Sequence, residues 1–176
     1  MLNVVEISQG DGRTSTALAE PRIVGFFCTW CTYLAADLAG TSRIKYPPNV
    51  RVVRVMCSGR IDPQFVLDAF AHGADGVLIG GCHPGDCHYQ QGNYNCLRRA
   101  RLLSRLLRQL GIEEERFRVE WISAAEGDRV RAVIDDMVNK LRRLGPLQGR
   151  ELSIAAEQTV SPGPDSQEHP AEGLRL

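Results

Sequence analysis

Five cysteines of this chain fall in three short stretches. FFCTWC holds Cys28 and Cys31, RVMCSGR holds Cys57, and GGCHPGDCHY holds Cys82 and Cys87. The last stretch adds His83, His88, three glycines, a proline and an aspartate. Thiolates and imidazoles are the ligands of soft and borderline metals. A C-x-x-C pair is also a dithiol redox motif. Three chemistries therefore compete: an iron–sulfur site, a zinc site, and a thiol–disulfide site using Cys28 and Cys31.

The elements that carry these residues alternate. Ile23 to Phe27 is an apolar run that reads as a strand, and Thr32 to Leu38 reads as a short helix ending near Gly40. Val50 to Met56 is Val-rich and reads as a second strand. Asp62-Pro63 has the form of a helix start, with Asp as N-cap and Pro at the first helical position. That helix carries Val66, Ala69 and Phe70 on one side and stops near His72-Gly73. Gly76 to Gly80 is a third strand. A long helix follows from about Tyr94 to Leu110, with Leu102, Leu103, Leu106, Leu107 and Leu110 as its apolar face. Phe117 to Ile122 is a fourth strand. Ser123 and Glu126 form a capping-box pattern for a last helix, which buries Val130, Val133, Ile134, Met137, Val138, Leu141 and Leu144.

Strands alternating with helices predict a parallel sheet covered on both faces. The expected fold is α/β: a small four-stranded, doubly wound, flavodoxin-like sheet. Cys28, Cys57 and Cys82 then each lie just past a strand, at the carboxyl edge where open α/β sheets bind ligands. Cys31 and Cys87 follow closely enough to reach the same edge. Helix N-termini there offer free N–H groups and a positive dipole end, which favour thiolates. Gly59, Gly80, Gly81 and Gly85 would let backbone amides approach sulfur.

Each feature also has a plainer reading. A lone CxxC is a dithiol or two buried cysteines, and a lone Cys57 is a small buried hydrophobe. For His83 and His88, loop hydrogen bonding is favoured over ligation. Cys96, near the start of the long helix, reads as an ordinary helix thiol. Arg98, Arg101, Arg105 and Arg108 share one face of that helix. A solvated face is the favoured reading, and a docking surface for an acidic partner the sharper one. Trp30 reads as a packing lid over the site. What strengthens the metal reading is that the cysteines share one sheet edge.

Length and composition bound the rest. The 176 residues suit one domain, with enough core to fold without disulfide staples. Lys plus Arg and Asp plus Glu are 21 each. That balance argues against a dedicated nucleic-acid binder, which gains affinity by neutralising phosphates. The N-terminus lacks a charged start followed by a long apolar core, and no stretch is apolar enough to span a bilayer. The expected protein is soluble and cytoplasmic, with no direct membrane contact. In reducing cytosol, clustered cysteines point to metal or redox chemistry rather than a disulfide framework. Residues 1–21 read as a lead-in and 22–145 as the α/β domain. Residues 146–176 hold four of the nine prolines and no aromatic residue, and read as a disordered tail.

FFCTWC, YPPNVRVVRVMCSGRIDP, GADGVLIGGCHPGDCHYQQGNY and EWISAAEG together resemble the delta (iron–sulfur) subunit family of methyl-viologen-reducing hydrogenase, over roughly residues 22–146. The resemblance implies a [2Fe–2S] electron-transfer subunit that is not catalytic alone. Its partners would be a hydrogenase or formate dehydrogenase and the flavin subunit of a heterodisulfide reductase or related complex. The family's characteristic cysteines match Cys28, Cys31, Cys57, Cys82 and Cys87 as cofactor and metal ligands, while Cys96 and the Pro-rich tail depart from its pattern. Five thiols for four ligand positions leave one over. The expected pairing is Cys28 with Cys31 on one iron and Cys82 with Cys87 on the other, with Cys57 as neighbour or substitute. Two alternatives stay open: a CxxC thiol–disulfide protein and a zinc-stapled adaptor.

Overall fold

A computed structural model describes residues 20–147. Nearly all of the expected lead-in and tail lies outside the described residues. Strands and helices alternate: β1 (Ile23–Cys28), α1 (Thr32–Thr41), β2 (Val50–Val55), α2 (Pro63–Ala71), β3 (Gly76–Gly81), α3 (Gly92–Gln109), β4 (Phe117–Trp121) and α4 (Gly127–Leu144). Short 3₁₀ turns cover Ser58–Arg60 and Glu114–Arg116. The strands are all parallel, in the order β2-β1-β3-β4. The chain steps from β1 to β2 on one side, then crosses back over β1 to β3 on the other. Strand order reverses between β1 and β3, which places the ligand crevice of such a fold there.

Side-chain alternation along the strands sorts two cores. Ile23 and Phe27 of β1 and Leu78 of β3 pack with Ala35, Val130, Ile134, Met137, Val138 and Leu141, on the α1/α4 face. Phe26 of β1 and Val77 and Ile79 of β3 pack with Val66, Phe70, Leu103 and Leu107, on the α2/α3 face. β3 is buried along its whole length. β2 is an edge strand, and Arg51, Val52, Val53 and Arg54 are exposed, so burial on both faces does not extend to it.

The local signals act as their chemistry dictates. The Asp62 carboxylate accepts the Gln64 N–H at 2.9 Å ahead of Pro63, and Gly73 closes α2 at a φ of 85°. α3 starts two residues before Tyr94. Its inward line is Cys96, Ala100, Leu103 and Leu107. Leu102 and Leu106, expected inside, are 68% and 41% exposed. They fall off that narrow line, which a helix on one flank of a sheet presents. Leu144, at the end of α4, is also exposed.

The amino edge of the sheet is tied by two buried ionic groups. Asp75 accepts the backbone N–H groups of Arg22 and Leu147. Arg116, 1% exposed, donates to the Glu113 carboxylate and to the carbonyls of Asp75 and Gly145.

Candidate metal centre

The five clustered cysteines meet at the carboxyl edge. Cys28 ends β1, and its carbonyl accepts the Cys31 N–H, a tight turn that sets Cys31 at the N-cap of α1. Cys82 follows β3 directly. Its sulfur lies 3.9 Å from that of Cys28 across the β1/β3 crevice. The sulfurs of Cys28, Cys31 and Cys82 all lie within 4.8 Å of one another. Cys57 and Cys87 form a second pair, with sulfurs 3.8 Å apart. The thiols thus gather as three and two. Cys87 stands beside Cys57, and Cys82 beside Cys28, whereas the sequence reading couples Cys82 with Cys87.

All five are buried, between 1% and 8% exposed. Burial lifts the Cys57 thiol to about 11, against a hydrogen bond from the Gly59 N–H, and also raises Cys82. Cys28 and Cys31 share a hydrogen bond that holds Cys28 down, to about 6, and drives Cys31 well up. Cys87 is lowered. Burial pushes against it, but the backbone N–H groups of Tyr89, Asn93 and Gly92 outweigh that. Those donors belong to the first turn of α3 and the loop before it, where free N–H groups favour a thiolate. Packing several thiolates together costs energy that a bound cation offsets.

The backbone is shaped to the sulfurs. A Cβ on Gly92 would sit 2.2 Å from the Cys57 sulfur and 3.0 Å from that of Cys87. A Cβ on Gly59 would strike the Gly92 backbone at 2.6 Å. The Gly59 N–H donates to the Cys57 sulfur at 3.4 Å. Among the glycines expected to open the backbone to sulfur, Gly59 does so. Gly80 and Gly81 instead make room for Thr32, Ser58 and Trp121, and Gly85 turns the loop at a φ of 95° with open space around it. Two thiolates on one tetrahedral metal ion with bonds of ~2.3 Å stand about 3.8 Å apart. The Cys28–Cys82 and Cys57–Cys87 spacings match that. Donor set, spacing and glycine cradle all fit a thiolate-held metal or iron–sulfur group.

Around the thiols the loop is pinned and partly roofed. Trp30 stacks on His88 at 3.9 Å between ring centroids, and its indole N–H donates to the Tyr89 hydroxyl at 3.3 Å. His83 pairs with the Glu126 carboxylate at 2.7 Å. His83 thus makes the loop hydrogen bond expected of it, whereas His88 is held by ring stacking instead. The same Glu126 accepts the Ser123 N–H at 2.6 Å, but α4 begins only at Gly127 with Glu126 itself at the N-cap, so the expected capping box closes a turn ahead of the helix and does not cap it. A cavity of about 500 Å³ opens beside Cys57, lined by Met56, Arg60, Tyr89, Asn95 and Arg99. Cys96 stays in the α2/α3 core, raised to about 11 by burial. Cys28, although its pKa is low, is 1% exposed, which denies it the accessible thiolate that disulfide exchange requires.

Sequence reasoning passed over four contributors. Asn93 is buried and donates to the carbonyls of Cys82 and His83, tying the ligand loop to α3. Thr32 lies buried against Cys31, its hydroxyl 3.7 Å from the sulfur. Gly92 forms the floor under Cys57 and Cys87, and Ser58 is fully buried beside Cys57. Asn93 alone left a signal, as an Asn at a helix start.

Fold and site together define an α/β domain with a buried cluster of cysteine thiols at its carboxyl edge. The chain belongs to the methyl-viologen-reducing hydrogenase delta subunit family, which matches residues 23–145. It is 56% identical over 132 residues to the iron-sulfur subunit of the F420-non-reducing hydrogenase vhc of Methanococcus voltae, covering 75% of this chain and 92% of that protein. It is 56% identical over 129 residues to the F420-non-reducing hydrogenase iron-sulfur subunit of Archaeoglobus profundus, covering 73% and 94%. It is also 48% identical over 127 residues to one subunit of the ferredoxin/F420H2-dependent CoB-CoM heterodisulfide reductase of Methanosarcina acetivorans. That match covers 72% of this chain and 16% of the relative. Among the described residues no helix is long and apolar enough to cross a membrane.

Proposed function

We propose that this chain is a cytoplasmic [2Fe–2S] electron-transfer subunit. It passes electrons between a hydrogenase or formate dehydrogenase and the flavin subunit of a heterodisulfide reductase or related complex. The observation that carries this reading is the gathering of five buried thiols at one sheet edge, with two sulfur pairs at 3.9 and 3.8 Å. The relatives' names support it, and a matching stretch inside a heterodisulfide reductase chain supports work beside such an enzyme.

Cys57 with Cys87 and Cys28 with Cys82 would hold the two irons, leaving Cys31 as the neighbouring fifth thiol. When bound, the cluster supplies reversible one-electron chemistry. The chain's own residues do the rest. The N–H groups of Gly59, Tyr89, Gly92 and Asn93 stabilise negative sulfur. The Trp30–His88 stack shields one side from water, and Asn93 fixes the ligand loop.

The test is reduction of a partner. Iron-loaded chain, reduced with dithionite and freed of excess, is mixed with the flavin subunit of a heterodisulfide reductase, and flavin absorbance is followed. Bleaching of the flavin supports the reading. A flavin that dithionite reduces but the reduced chain does not would refute it.

A further inference from the structure

We propose that the Ser58 hydroxyl donates a hydrogen bond to a sulfur of the bound cluster and thereby raises its reduction potential. This rests on the [2Fe–2S] reading above. Ser58 is 0% exposed, and its Oγ has no hydrogen-bond partner among the described residues. A buried hydroxyl without a partner costs stability, and native structures rarely keep one without a use.

Its position says what the use is. Ser58 follows Cys57 directly, in the 3₁₀ turn where the Gly59 N–H binds the Cys57 sulfur. Its side chain packs on Gly81, the residue before Cys82, where an added Cβ would meet the Oγ at 2.8 Å. The hydroxyl therefore lies between the chain segments that carry Cys57 and Cys82. The Cys96 thiol is the competing partner: the Ser58 hydroxyl pulls its pKa down as a hydrogen-bond partner does, although the pair does not meet hydrogen-bond distance and angle. A [2Fe–2S] core would supply inorganic sulfide acceptors of its own, which a lone zinc ion would not. A cluster gains negative charge on reduction, so a hydroxyl donor to its sulfur favours the reduced form.

The experiment compares the full-length chain with Ser58→Ala. Iron and sulfide content, an EPR-monitored redox titration, and the melting temperature of the metal-free form are measured for both. The expected result is equal loading, a more negative midpoint potential for Ser58→Ala, and a metal-free form that melts no lower than wild type. If Ser58→Ala loads no iron while its metal-free form melts normally, the hydroxyl serves the cluster and not the fold, which also supports contact. An unchanged potential in a loaded Ser58→Ala overturns this inference and leaves the electron-transfer reading standing. A metal-free Ser58→Ala that melts below wild type overturns it too, because the hydroxyl then has a protein partner. A wild-type chain that binds no iron sinks both.

Discussion

The sulfur of Cys57 stands 3.8 Å from that of Cys87, thirty residues away in sequence. α3 begins under both with Gly92, where a Cβ would come within 2.2 Å of the Cys57 sulfur. Alanine in place of Gly92 would favour a helix by about 1 kcal/mol, so helix propensity works against any loss. Gly92→Ala is nonetheless expected to spread the pair and bring iron per chain well below wild type. Iron assay beside far-UV circular dichroism checks this. Full loading would show that the cradle does not matter.

The cysteines should divide by substitution. Cys57→Ala and Cys87→Ala are expected to lose iron. Cys31→Ala should keep it, as the fifth thiol. Cys96→Ala should keep all of its iron and lose about 1 kcal/mol of stability, the cost of removing one buried sulfur from the α2/α3 core. Iron content and urea denaturation of the four variants decide the matter. An unchanged cluster in Cys57→Ala would contradict the pairing.

Arg116 holds the opposite edge of the sheet. Arg116→Met strands the Asp75 and Gly145 carbonyls and frees Glu113 from its partner. The expected cost is about 2–4 kcal/mol, read from the urea midpoint. Iron per folded chain should not change, since this edge is remote from the thiols. A fall in iron at unchanged stability would contradict that division.

Glu126 makes part of the stability pH-dependent. The Ser123 N–H, and then His83, hold its carboxyl at about 2, against an ordinary value of 4.5. Because the folded value is the lower one, the ionised carboxylate contributes fully above pH 4.5, and the contribution fades as pH falls toward 2. Over that range the wild type should lose melting temperature more steeply than Glu126→Gln, with the two converging at the acid end. Metal-free forms are compared, so acid loss of a cluster does not intrude. Parallel curves would show that the carboxylate is not so held.

Much of this was legible in sequence because the signals were local. The Asp62-Pro63 start, the Gly73 stop and the alternation of strand and helix are set by neighbouring residues, and the structure follows them. The meeting of the cysteines at one edge was also legible, since it needs only the order of elements and the geometry of parallel sheets. The neighbours of Cys82 and Cys87 were not. Cys82 and Cys87 are close in sequence, yet Asn93 holds the Cys82 and His83 carbonyls while Cys87 turns toward the first turn of α3. That depends on loop geometry, which periodicity does not encode. The leucines of α3 failed for a related reason. Five of them read as one broad face, but the sheet flank takes only a narrow stripe, and Leu102 and Leu106 remain outside it.

An iron–sulfur cluster at the thiol edge is what every other proposal for this chain depends on. It is tested most directly on protein purified without oxygen, by iron, zinc and acid-labile sulfide assays with EPR before and after dithionite. About two irons and two sulfides per chain are expected, with an EPR signal that appears on reduction. Stoichiometric zinc with no sulfide and no signal would contradict it.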